Sequence, residues 1–112
     1  MRLNRRRPQD TYRWIKGALE GVPDGDRRAC ADCGTSIRAY QYRQHPPDSD
    51  AYERCIGFAW CSACRVFDAN VVFVPRRRVL VDRLAGLPAE RREALLRKEA
   101  DLVAHLDRNW HR

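Results

Sequence analysis

Apolar side chains recur with one period between residues 35 and 74 and with another after Pro75, and that change divides the chain. Residues 35–43, Thr-Ser-Ile-Arg-Ala-Tyr-Gln-Tyr-Arg, alternate between polar and apolar, the pattern of a half-buried strand. Residues 54–60, Arg-Cys-Ile-Gly-Phe-Ala-Trp, and 66–74, Val-Phe-Asp-Ala-Asn-Val-Val-Phe-Val, predict a second and a third strand, the third bent at Asp68–Asn70. Residues 44–53 hold His45, Pro46, Pro47 and three acidic groups, which predicts a loop. Beyond Pro75 the period turns helical. Leu80, Leu84 and Leu87 predict a short helix opened at Pro75 and broken by Gly86 and Pro88. Leu95, Glu99, Leu102 and Leu106 share one face of a longer helix from Pro88 to about Asn109, widened by Leu96, Ala100 and Val103. Upstream, Tyr12, Ile15 and Leu19, with Trp14 and Ala18 beside them, predict a short helix from Asp10 or Thr11 through Glu20, stopped at Gly21. The expected fold class is therefore α+β. It comprises a small antiparallel sheet, a short N-terminal helix and two C-terminal helices over residues 76–109, all in one domain (10–112) behind a flexible basic arm (1–9).

Cysteines punctuate the strands. Cys30 and Cys33 form one Cys-x2-Cys turn, and Cys61 and Cys64 form another, with 27 residues between the pairs. Two residues between thiolates let one tight turn aim both sulfurs at one ion, and two such turns complete a tetrahedral Zn²⁺ site. The intervening length exceeds the usual span, and the 44–53 loop absorbs the excess. Four protein ligands leave no open position, so the site reads as structural. A redox dithiol and an iron–sulfur cluster are the competing readings. The strand-like run after Cys64 disfavours the first, since a reactive pair wants a helix N-terminus, and the symmetrical pairing disfavours the second. Gly34, directly after Cys33, is expected to close its turn with a positive φ. Cys55, the fifth cysteine, reads as a small buried hydrophobe.

The stretches Cys30-Ala-Asp-Cys33-Gly34 and Cys61-Ser-Ala-Cys64, each beside a strand, resemble the knuckles of the zinc-ribbon group over residues 28–74. The chain is also similar to small bacterial proteins for which no activity is implied. The ribbon resemblance implies one Zn²⁺ bound by four cysteines and a nucleic-acid-binding or protein-binding module of the kind found in transcription and translation proteins.

Charge adds a partner class. The 112 residues carry a formal net charge of +7. Residues 1–43 hold 10 basic and 5 acidic side chains, residues 44–75 hold 2 and 4, and residues 76–112 hold 10 and 6, so the surplus lies at the two ends. Two arginine triplets, Arg5-Arg6-Arg7 and Arg76-Arg77-Arg78, are the candidate nucleic-acid contacts. The second would stand at a helix start, where arginines and unpaired backbone N–H groups together hold a phosphate. Tyr40, Tyr42, Phe58 and Trp60 either stack on unpaired bases or fill the core, and the core is the ordinary use. The alternative partner is a protein or a second copy, docked on the leucine stripe of the last helix. His45, His105 and His111 are scattered, and no phosphate loop or nucleophile motif is present, so no enzyme activity and no small-molecule substrate are expected. No apolar stretch reaches the length of a membrane span, and the basic N-terminus lacks the apolar run of a secretory signal. With an odd cysteine count, this points to the cytoplasm.

Overall fold

The computed structural model describes residues 12–15, 29–30 and 32–110. The 1–9 arm with Arg5, Arg6 and Arg7, and most of the expected N-terminal helix, lie outside the described residues. The fold is α+β, a four-stranded mixed sheet with two helices. The strands are β1 (Arg13–Trp14), β2 (Arg38–Arg43), β3 (Arg54–Cys61) and β4 (Val66–Phe73), and the helices are α1 (Ala89–Arg97) and α2 (Glu99–Arg108). Strand order is β1-β4-β3-β2, with β2–β3 and β3–β4 antiparallel and β1 parallel to β4.

Register places Arg38, Trp60 and Phe67 in one row, Tyr40, Phe58 and Ala69 in the next, and Tyr42, Ile56 and Val71 in a third. Side chains alternate faces along a strand, so all three rows point the same way. The first two rows pack with Leu84, Leu95, Leu102, Val103 and Leu106 into one core. Trp60, Leu84 and Leu102 are completely buried. The four aromatics that the sequence offered for stacking, Tyr40, Tyr42, Phe58 and Trp60, are thus divided. Tyr40, Phe58 and Trp60 are core, and only Tyr42 keeps partial exposure. Leu95, Leu102 and Leu106 of the last helix's stripe are buried in the same core, with Leu96 and Ala100 partly buried beside them. On the opposite face, Gly57 lets the Val72 methyls close over the sheet. A Cβ there would meet them at 3.0 and 3.1 Å, tighter than ordinary contact.

Several expectations are corrected. Residues 13–14 form a strand, so the start of the expected N-terminal helix is extended, and the sheet is not purely antiparallel. The cause is the open edge of β4: Arg13 N–H donates to the Arg65 carbonyl and Ile15 N–H to the Phe67 carbonyl, both at 3.0 Å. An apolar pattern over one or two turns does not outweigh such an edge. Residues 76–86 form turns instead of a helix. Arg43 takes the carbonyls of Val74, Pro75 and Arg78, at 3.2, 2.8 and 2.9 Å, and Asp82 takes the Leu84 N–H at 3.0 Å. Those bonds compete with a helical ladder, and the arginine run opposes the helix dipole. Finally, the long last helix is interrupted at Lys98, whose φ of −124° and ψ of 95° are extended. Lys98 N–H reaches Leu95 O, three residues back, at 3.1 Å, and both halves bury leucines in the same core. Lysine is a good helix former, so packing has overridden propensity here. At the expected bend, Asp68–Asn70, β4 pairs with β3 without interruption from Val66 to Phe73, so no bulge breaks the strand there.

Candidate metal centre

The two cysteine turns meet at one end of the sheet. Cys30 and Cys33 precede β2, Cys61 ends β3, and Cys64 sits in the tight turn to β4. The turns have the same backbone. Gly34 N–H donates to Cys30 O at 2.8 Å, and Arg65 N–H donates to Cys61 O at 3.0 Å. The residue after each second cysteine is left-handed, Gly34 at φ 79° and Arg65 at φ 61°. Gly34 adopts that region at no steric cost, as its position suggested. Arg65 adopts it against preference.

All four sulfurs lie within 4.8 Å of one another. Cys30 Sγ and Cys64 Sγ are 3.8 Å apart, and Cys33 Sγ and Cys61 Sγ are 3.5 Å apart. A tetrahedron with metal–sulfur bonds of about 2.3 Å has edges of about 3.8 Å, so the donor set fits one Zn²⁺. None of the cysteines is disulfide-bonded. Cys55 is fully buried elsewhere in β3, 3.4 Å from an Arg43 guanidinium nitrogen, and takes no part in the cluster.

Thiols this close titrate as a group. Cys33 Sγ is hydrogen-bonded to the Thr35 hydroxyl at 3.2 Å, and that contact, the Thr35 backbone and the neighbouring thiols bring Cys33 down to about 6. Cys64 is pushed the other way, to about 12, by the sulfurs of Cys33, Cys30 and Cys61 around it. Cys61 is raised as well, mainly by burial. Without a metal, negative charge is therefore favoured at Cys33 and disfavoured at Cys61 and Cys64. A divalent cation relieves that conflict.

A carboxylate that the sequence reading missed ties this end to α2. Asp107 Oδ1 accepts from Arg38 at 2.6 Å and from the buried Trp60 indole at 3.0 Å, and Oδ2 lies 3.7 Å from Arg65. Arg65 in turn donates to the Tyr12 hydroxyl at 3.1 Å and sits over its ring. Burial first, and the Asp107 carboxylate second, push the Tyr12 phenol well above its ordinary value. The signal lay in the helical period. Asp107 stands four residues after Val103 and three before Trp110, an acid on the apolar face.

The second arginine triplet is at the far end of β4 from the cysteines, eight residues of strand or about 25 Å away. Arg76 is engaged within the fold. Its N–H donates to the Glu53 carboxylate at 2.6 Å, its guanidinium donates to Pro47 O at 2.6 Å, and it lies over the Tyr52 ring. Arg78 N–H donates to Pro75 O at 3.0 Å. No helix starts here, so the expected pairing of arginines with unpaired helical N–H groups is corrected. Arg77 is exposed. No family model matches the chain, and no curated protein or solved structure is significantly similar to it. Among the described residues, no helix is long and apolar enough to cross a membrane.

Proposed function

We propose that the chain is a non-enzymatic zinc-ribbon module that binds nucleic acid, of the transcription-related kind. The observation that carries the reading is the closed cysteine cluster: four sulfurs within 4.8 Å fill every position of a tetrahedral metal and leave none for a substrate. Chemistry at the metal is thereby disfavoured, and function falls to the surface. That surface belongs to a chain with a net charge of +7, whose excess lies outside the metal-bearing middle. A cationic surface on a small metal-stapled fold suits the phosphates of DNA or RNA. Zinc-loaded protein should bind DNA or RNA at about 50 mM salt and lose affinity steeply towards about 200 mM. Absence of binding at the lower salt refutes the reading. The docking alternative loses its motive, because Leu95, Leu102 and Leu106 are buried against the sheet.

A further inference from the structure

At the end of the sheet away from the cysteines lies a cleft of about 340 Å³, between the last residues of β2, the 76–82 segment and α1. Among the described residues its walls carry four arginines, Arg43, Arg76, Arg78 and Arg92, and one carboxylate, Asp82. Those arginines come from separate parts of the chain, and Arg92 is outside both triplets. Arg43 donates only to carbonyl oxygens and to the Cys55 sulfur, which satisfy its N–H groups without cancelling its charge. Arg92 is held 3.0 Å from Asp82, which also accepts from the Tyr40 hydroxyl at 3.4 Å and the Leu84 N–H at 3.0 Å. Among the described lining residues one carboxylate thus stands with four guanidinium groups, and Glu53 accepts from the Arg76 N–H beside them. Tyr40 and Tyr42 line the same space with ring centroids 6.1 Å apart, and Tyr42 is only partly buried.

We infer that this cleft takes one nucleotide of a single-stranded nucleic acid, its phosphate among Arg76, Arg78 and Arg92 and its base towards Tyr42. Guanidinium groups lining one space from several elements match the oxygens of a phosphate, and the partly exposed Tyr42 ring suits a base. The volume, about 340 Å³, is that of a small-ligand site and matches one nucleotide, not a duplex. An acidic peptide would satisfy the charge but leave the tyrosine face without a stacking partner. The inference rests on the nucleic-acid reading and adds where, and in which form, the polyanion binds.

The test is fluorescence anisotropy of a labelled single-stranded oligonucleotide with the zinc-loaded full chain and three variants. Arg92→Gln should weaken binding roughly tenfold, and the salt slope should fall by about 0.7. Asp82→Asn, which removes the one carboxylate among the described lining residues with little change of shape, should tighten binding several-fold. Arg108→Gln, the same charge change at the metal end of α2, should stay within about twofold. Equal losses in Arg92→Gln and Arg108→Gln, or an unchanged Asp82→Asn, would overturn the cleft while leaving nucleic-acid binding in place. Displacement by poly-glutamate as readily as by unlabelled oligonucleotide also overturns it. A parallel titration with AMP, read at the Tyr42 and Arg92 amides by NMR, separates the two ideas. If the oligonucleotide does not bind but AMP moves those resonances, the cleft stands and the proposed function fails. If neither occurs, both fail.

Discussion

Trp60 donates its indole N–H to Asp107 at 3.0 Å, joining the fully buried cysteine end of β3 to the last turn of α2. Arg38 and Arg65 converge on the same carboxylate, so one side chain couples the sheet, the second cysteine turn and the helix. Asp107→Ala leaves a buried indole N–H and a guanidinium without their acceptor. A loss of about 3 kcal/mol is expected, and chemical denaturation of the zinc-loaded protein measures it. Asp107→Asn keeps one acceptor oxygen and should lose distinctly less.

Gly34→Ala isolates backbone conformation from packing. No atom lies within 4 Å of the position its Cβ would take, so the cost comes only from φ at 79°. About 1 kcal/mol of destabilisation is expected, with the zinc content unchanged. A neutral result in a thermal melt would mean that the first turn does not hold this geometry.

Zinc uptake should depend on pH more steeply than a single ionisation allows. Cys61 and Cys64 are raised while Cys33 is lowered to about 6, so metal binding must displace protons from several thiols. Affinity rises with pH and falls in acid, because protons compete for the sulfurs. A competition titration with a chelating dye between about pH 6 and pH 8 should give more than one proton released per metal. A slope of one or less would contradict the shared titration.

Alkaline conditions should unfold the protein through its buried tyrosines. Burial first, then the Asp82 charge, raise Tyr40 from 10.0 to about 12, and Tyr12 is raised further. A raised folded value gives stability that is complete below the unfolded value and is lost as pH climbs towards the folded one. Stability should therefore begin to fall near pH 10, and ultraviolet titration should show Tyr40 and Tyr12 ionising only with unfolding. Ionisation of all described tyrosines near pH 10 with the fold intact would refute this.

The cysteine turns and the three long strands were legible because their signals are local. Two residues between thiols fix a turn, Gly34 closes it, and alternation from Arg38 to Arg43 or a continuous apolar run from Cys55 to Cys61 marks a strand. What escaped the sequence depends on partners far along the chain. Arg43 withdraws the carbonyls of residues 74, 75 and 78 and so prevents a helix that Leu80, Leu84 and Leu87 announced. Residues 13–14 become a strand because β4 offers an open edge beside Arg65. Lys98 breaks a helix without any local breaker. Asp107, a lone acid among leucines, shows its role only once Arg38, Trp60 and Arg65 are brought around it.

The metal content of the full chain bears most directly on all of this. Native mass spectrometry should find one zinc per chain, retained in Cys55→Ala and lost in Cys61→Ala, which removes one of the four clustered sulfurs. A chain that folds without metal, or a Cys61→Ala variant that holds zinc as firmly as the parent, would contradict it.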